Sequence, residues 1–358
     1  MNRRPSRCRR LTFTCLALCG LSLLLMSAFM KLPRLQPSSH TKQVLEQQSR
    51  ASQRVSTKST PASTTGATVV VRSLTEHVRR FCQGHAELQR QRLADRNQTE
   101  ASALLDIYWN YKHLLYAVNP RNNRSVLYCS IPKVANTSLK TLLLSLNESH
   151  RGMYSASSMH YYVYMKMGLP YALHRKEVNM TTLANAFKIM FVRHPFERLV
   201  SFFEDKTRRS VSTGRYFYHK YWNNVMIKYR GVGNVDTTKD LITFEEFVDL
   251  LLSTEPKHYD LHWQLYAHRC EPCLVPYDFV GTLEDVPVMY RALGLPDGSQ
   301  LWANKGPSDT KDMTLAYFTS LPKSKVEMLY SIYAMDFAMF NYSAHEYLSA
   351  AKDSTIAS

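Results

Sequence analysis

Two short segments decide most of what this chain can become. CSIPKVANTSLK (Cys129–Lys140) runs from an apolar stretch through a short loop into a helical pattern. FVRHPFERLVSFFEDK (Phe191–Lys206) does the same, with an arginine at the turn. A strand that hands over to a helix in this way presents free backbone N–H groups and the positive end of a helix dipole, which together suit phosphate. Two such turns in one chain can grip a nucleotide carrying several phosphate-like groups, and that points to group transfer.

The surrounding pattern supplies a scaffold for both turns. SVLYCS (Ser125–Ser130), FKIMFV (Phe187–Val192) and Tyr277–Val280, ending at Gly281, read as short buried strands. SLKTLLLSL (Ser138–Leu146), the segment opened by Pro195, Phe244–Leu252 and Lys323–Phe340 read as helices, and Pro195 suits a first helical turn. Leu74–Ile107 reads as helical cover for the main domain. Strands alternating with helices predict an α/β fold with a central, mainly parallel sheet flanked by helices. Ligands in such folds bind beyond the carboxyl ends of the strands, where both turns lie.

The N-terminus predicts a location. Arg3, Arg4, Arg7, Arg9 and Arg10 precede an uncharged apolar run, Leu11–Met30, long enough to cross a bilayer as a helix. Charge on that flank places residues 1–10 in the cytoplasm and favours a single-pass anchor over 11–30. A cleaved signal peptide is the rival reading, but no clear small-residue cleavage site follows. Residues 31–72, rich in Ser, Thr and Gln, read as a flexible luminal stem. Residues 73–350 then form the luminal domain, and 351–358 a tail.

The formal net charge is +16; with the five leading arginines set aside, 40 basic residues face 29 acidic ones. That surplus favours a polyanionic partner such as an anionic glycan, and a luminal location argues against nucleic acid. Sequons at Asn97, Asn123, Asn136, Asn147, Asn179 and Asn341 fit a lumen-facing domain. A glycan on Asn136 would block the first turn, so that site is expected to stay unmodified. Of the seven cysteines, Cys82, Cys129, Cys270 and Cys273 fall in the luminal part. They allow two disulfides with the pairing left open; zinc or redox chemistry at Cys270–Cys273 is the weaker reading, since no second pair accompanies it.

Within the first turn, Lys133 can set a mobile positive charge against a bridging oxygen, where negative charge grows as a leaving group departs. Thr137 and Ser138 add hydroxyl donors. The turn has no glycine-rich spacing and no G-K-[ST] triplet, so it is not a Walker A loop. Lys140, one turn into the helix, reads as a solvated charge. In the second segment Arg193 can make a forked contact with a phosphate, and Ser201 can face the same anion two turns on. Glu197 and Arg198 read as paired with neighbours.

In these residues the chain resembles the Golgi carbohydrate sulfotransferases, in particular the branch of the chondroitin and dermatan 4-O-sulfotransferases and the HNK-1 sulfotransferase. The likeness runs in order over roughly 123–342: the two turns, then His262-Trp263, Cys270-Glu-Pro-Cys273, Tyr277-Asp-Phe-Val-Gly281, Glu284 and Tyr333-x-x-Asp336-Phe337. It implies a P-loop-like sulfotransferase fold, a Golgi type II membrane protein, and 3′-phosphoadenosine 5′-phosphosulfate as donor. By that resemblance Lys133, Val134, Ala135, Asn136, Thr137 and Ser138 wrap the 5′-phosphosulfate, while Arg193 and Ser201 hold the 3′-phosphate. The acceptor it implies is a glycan or proteoglycan, most closely the 4-hydroxyl of N-acetylgalactosamine in chondroitin or dermatan chains. A homodimer is compatible with it. Ala135, Asn136 and Leu139 stand where the family's first motif has Gly, Cys and Trp, His194 where it has an acid, and Phe202 where Ala is common.

The reaction so implied is direct transfer of the sulfuryl group, with no metal in the scheme and no compact carboxylate cluster to hold one. Histidine is the natural base near neutral pH. Among His160, His174 and His262, the reading places the base at His160, between the two turns, and gives His262 a structural role beside Trp263. Arg208, Arg209, Arg215, Lys220, Lys228 and Arg230 form a candidate track for uronic acids and sulfates, with tyrosines between them for sugar rings. The rivals are a sulfotransferase for another glycan, such as terminal glucuronate, an N-glycan or a uronic acid 2-hydroxyl, and a glycan-binding membrane protein without catalysis. A kinase is disfavoured by the lack of metal-binding acids and lysine-loop patterns.

Overall fold

In the computed structural model the described residues are 66–146, 156–207, 211, 214–295 and 310–353. The expected anchor at 11–30, most of the stem, the sequon at Asn147 and the track residues Arg208 and Arg209 lie outside them. Among the described residues no helix is long and apolar enough to cross a membrane.

Four strands form one sheet in the order β1 (Leu114–Asn119), β2 (Arg124–Cys129), β3 (Phe187–Phe191) and β4 (Phe279–Gly281). β1 and β2 make an antiparallel hairpin, with Leu114 opposite Cys129 and Asn119 opposite Arg124. β2 and β3 are parallel, Val126 beside Phe187 and Cys129 beside Met190, and so are β3 and β4, Ile189 beside Phe279. The expected parallel sheet is therefore present over three strands. β1 was not expected: its residues are almost all buried on both faces, and such an apolar run carries no period that separates strand from helix.

The helices that position the site are α1 (Gly66–Gly84), α2 (Asn136–Leu146), α3 (Ala156–Met167), α4 (Pro195–Lys206), α5 (Phe244–Ser253), α6 (Tyr266–Arg269) and α7 (Lys323–Met339). α1 starts at Gly66, within the segment assigned to the stem, and lies against β4, where Thr75 Oγ1 accepts from the Val280 amide at 3.0 Å. It leads into two further helices, Ala86–Asp95 and Glu100–Asn110, so the helical cover read over Leu74–Ile107 is three helices. α2 and α4 follow β2 and β3 directly, so the turns sit at the strands' carboxyl ends, as the pattern required.

Two cores result. One surrounds the sheet and is built largely from Val126, Leu127, Ile131, Leu142, Ile189, Met190 and their neighbours. The other gathers the inner faces of α4, α5 and α7 and is dominated by rings, among them Phe196, Phe202, Phe217, Trp222, Phe247, Trp263 and Phe337. Disulfides Cys82–Cys273 and Cys129–Cys270 settle the pairing that the sequence left open. Both lie in or against the sheet core.

Candidate active site

The first turn leaves β2 at Cys129 and enters α2 at Asn136. Lys133 (φ 71°) and Ala135 (φ 56°) both occupy the left-handed region, costly for side-chain-bearing residues but suited to folding backbone N–H groups into a concave anion-binding nest. Val134 is fully buried in the sheet core, so only its backbone is available to a ligand. Asn136 turns its Oδ1 inward, accepting from Ser130 Oγ at 2.8 Å and from Tyr128 Oη at 3.3 Å. It ties the helix start to the strand, a placement poorly suited to carrying a glycan. Ala135, Thr137 and Ser138 are half-buried around the same turn. By contrast Asn97, Asn123, Asn179 and Asn341 are exposed.

The second turn delivers Arg193, and α4 continues it with a stripe at four-residue spacing: Arg193, Glu197, Ser201, Asp205. Arg193 Nε donates to Glu197 at 3.2 Å. At the other end of the stripe the Lys133 ammonium donates to Asp205, which Lys206 also approaches at 3.2 Å. The half-buried Ser201 lies between the two pairs on the same face. The two motifs are thus joined by an ion pair that reaches from the first loop to the second helix. Burial lowers the Lys133 pKa, Asp205 opposes that shift, and the charges of Lys206 and Arg193 add to it. Three cations held together at this cost form a site that a polyanion would relieve.

Behind the first turn lies a polar network that the sequence did not suggest. Lys140, read as a solvated charge, is instead buried at 1% exposure, because its helix packs onto the sheet. Its ammonium sits 3.9 Å from the Tyr164 ring centre and 3.1 Å from His160 Nδ1. Tyr164 Oη in turn lies 3.1 Å from Ser130 Oγ. Burial, then the positive charges of Lys140 and Lys206, push His160 down to about 4.

His262 is close enough for its charge to act on His160. The His262 Nδ1 is 2.7 Å from Asp260 Oδ1, and Asp260 also takes a hydrogen bond from Tyr221 Oη at 3.2 Å. The ring packs against Phe202 and Phe217, whose centres lie 5.1 and 5.2 Å away. Burial pushes its pKa down, Asp260 resists, and the charges of Lys133 and Lys206 push the same way as burial. His160, His262, Lys133 and Lys206 thus share one electrostatic neighbourhood, whereas His174 is exposed on the short helix Leu169–His174.

The segment 260–269 is bolted to both motifs. Tyr266 Oη accepts from the Arg193 amide and donates to the Arg193 carbonyl, both at 3.0 Å. Arg269 Nε donates to the Ser130 carbonyl at 2.8 Å, and Cys270 is bonded to Cys129. Arg198, 2% exposed, donates to the carbonyls of His262 and Gln264 at 3.3 and 2.6 Å. Asp336 accepts from the amides of Tyr266 and Ala267, at 2.8 and 3.1 Å. His194 reaches the Ser343 carbonyl at 3.1 Å and packs among Phe196, Phe337, Tyr342 and Tyr347. An imidazole therefore does packing work at the position where the resembled family carries an acid.

Of the candidate track, Arg230 is committed to a two-pronged pair with Glu246 at 2.6 and 2.7 Å. Arg215, Lys220 and Lys228 are exposed. Lys220, within a π-helical turn, Tyr218–Trp222, stands over Tyr216 and Tyr221. Among the described residues no three His, Cys, Asp or Glu side chains cluster as metal ligands would.

Comparison with known proteins gives a family match and several relatives. The model described as "Sulfotransferase family" matches residues 116–343. The rat protein "Carbohydrate sulfotransferase 11" is 32% identical over 242 residues, covering 63% of this chain and 67% of its own. "Carbohydrate sulfotransferase 9" from Homo sapiens is 29% identical over 64% of this chain and 54% of its own, and "Carbohydrate sulfotransferase 10" from Danio rerio is 28% identical over 65% and 70%. No solved structure gives a significant match.

Proposed function

Because this chain belongs to the sulfotransferase family, with carbohydrate sulfotransferases among its relatives, we propose that it moves the sulfuryl group of 3′-phosphoadenosine 5′-phosphosulfate onto a glycan hydroxyl. The carrying observation is the Lys133–Asp205 ion pair, which puts the cation of the first turn onto the helix of the second, with Arg193 and Lys206 close enough to act on its charge. A donor with phosphate-type charge at both ends fits such a line of cations. Backbone N–H groups around Lys133–Ser138 bind the 5′-phosphosulfate, with Thr137 and Ser138 adding hydroxyls. Arg193 and Ser201 take the 3′-phosphate. Asp205 and Glu197 hold Lys133 and Arg193 ready until the donor competes for them.

The acceptor hydroxyl attacks sulfur in line while the S–O bond to the 5′-phosphate breaks, and Lys133 neutralises the charge growing on that phosphate. The acceptor we favour is the 4-hydroxyl of N-acetylgalactosamine in a chondroitin or dermatan chain, with Arg215, Lys220 and Lys228 as candidate contacts for its anionic groups. Residues 11–30 would anchor the enzyme in the Golgi membrane with its catalytic domain in the lumen.

The test is incubation of the full chain with sulfur-labelled donor and desulfated chondroitin, dermatan, heparosan and HNK-1 precursor glycans, beside Lys133→Ala and Arg193→Ala. Label in chondroitin or dermatan that both variants lose supports the reading. Label only in heparosan or the HNK-1 precursor moves the acceptor to another glycan. A folded protein that neither binds donor nor labels any glycan would sink the donor assignment.

A further inference from the structure

The two histidines beside the donor site are wired in opposite senses. A lysine ammonium only donates, so His160 Nδ1, 3.1 Å from Lys140 Nζ, must accept. A neutral imidazole whose Nδ1 accepts carries its proton on Nε2, so that nitrogen is a donor with no lone pair for a further proton. A carboxylate only accepts, so His262 Nδ1, 2.7 Å from Asp260 Oδ1, must donate. His262 Nε2 is then the nitrogen with a free lone pair, and among the described residues it takes no hydrogen bond.

Asp260 is itself held. Its side chain is 6% exposed, its Oδ1 also accepts from the His262 amide at 3.1 Å, and its Oδ2 accepts from Tyr221 Oη. Phe202 and Phe217 fix the ring plane. Arg198, Tyr266 and Arg269 pin the backbone on either side to the two donor motifs. The charged and titratable groups acting on this imidazole are Asp260 from its own segment, Lys133 from the first turn and Lys206 from α4; it in turn acts on His160 of α3, and Lys220 approaches Asp260 at 3.7 Å.

We propose that His262 Nε2 takes the proton of the acceptor hydroxyl, with Asp260 as its positioning residue, and that His160 serves as an N–H donor facing the transferring group. As the acceptor oxygen bonds to sulfur, the S–O bond to the 5′-phosphate breaks and its electron pair leaves on the phosphate. The hydroxyl proton goes to His262, and Asp260 stabilises the imidazolium until solvent takes the proton. The proposal rests on the sulfotransferase reading. It reverses the sequence-based preference for His160.

Two measurements on the full chain test it. The first is independent of acceptor: nitrogen NMR of labelled histidines reads which ring nitrogen is protonated. We expect the Nδ1–H form at His262 and the Nε2–H form at His160; the reverse pattern overturns the proposal even if no acceptor in the panel is labelled. The second uses whichever glycan is labelled. His262→Gln should lower kcat by roughly 10²–10⁴, with thermal stability and affinity for adenosine 3′,5′-bisphosphate little changed. Asp260→Asn, which keeps the shape and loses the charge, should lower kcat less and move the acid limb of the pH profile. His160→Gln should keep that limb in place. Should His262→Gln fail to fold, the limb in Asp260→Asn decides. An unmoved limb there, or a limb abolished by His160→Gln, overturns the assignment.

Discussion

The sheet half and the helical half of this protein bring different things to one site. The sheet half has a largely aliphatic core with both disulfides in or against it, and it contributes the turn at the end of β2, with its two left-handed residues and the Lys133 ammonium. The helical half has an aromatic core and no disulfide among its described residues, and it contributes side chains: the α4 stripe and the Asp260–His262 pair. The anion binding proposed for the turn's backbone amides needs a chain path that does not drift, and covalent links would supply that. The proton transfer proposed for His262 needs a ring whose plane and charge are set by its surroundings, and packed aromatics beside a buried carboxylate would supply that.

The largest effect should come from loosening the sheet half. Replacing Cys129 and Cys270 together by Ser opens a link spanning 141 residues, which should cost about 4 kcal/mol and show as a large fall in Tm. A fall no greater than that of a surface substitution would mean that hydrogen bonds alone hold the turn.

Next is the ion pair that joins the halves. Lys133→Ala should lower kcat by roughly 10²–10³, as expected for one preorganised charge lost from the transition state. Steady-state rates with labelled donor would measure it, and an effect on KM alone would make Lys133 a binding group only. Smaller again, Arg193→Lys keeps the charge but loses the fork. Donor affinity, read by titration calorimetry with adenosine 3′,5′-bisphosphate, should weaken by roughly ten- to a hundredfold, the worth of one charged hydrogen bond.

A pH effect probes the junction. Asp336 is fully buried, and burial pushes its carboxyl up to about 6 although two backbone amides pull the other way. In the unfolded chain the same group titrates near its ordinary 3.8. The folded state therefore holds this proton more tightly, and its contribution to stability is full below about pH 4 and lost as pH rises through about 6. Denaturant melts across that range should show the decline, and Asp336→Asn should flatten it. The smallest effect is expected at Ala135. Glycine there relieves the left-handed strain but adds freedom to the unfolded chain, so Ala135→Gly should change stability by no more than about 1 kcal/mol. A loss well beyond that would show that the methyl group packs in a way the backbone angle hides.

How much of this was legible in the sequence divides along the same line. The strands β2, β3 and β4 and the helices after the two turns all follow from local patterns: apolar runs, a loop, then a helix start. The burial of Lys140 was not legible, because a charge on a helix reads as solvated until the face it occupies is known. Nor was β1, whose apolar run has no distinguishing period. His262 was visible in the sequence, but its surroundings were not. Its neighbour Asp260 lies only two positions away, but the rings that hold it and the cations that act on it come from distant segments.

By itself, then, the sequence determined the kind of fold and the places of its two strand-to-helix turns, because these rest on order and spacing along the chain, and it carried the resemblance to the family that the match over residues 116–343 shows. Tertiary structure decided which cysteines pair, which carboxylate steadies Lys133, and what each histidine's Nδ1 faces. Those depend on what stands 3 Å away across the fold, and one histidine faces an ammonium while the other faces a carboxylate.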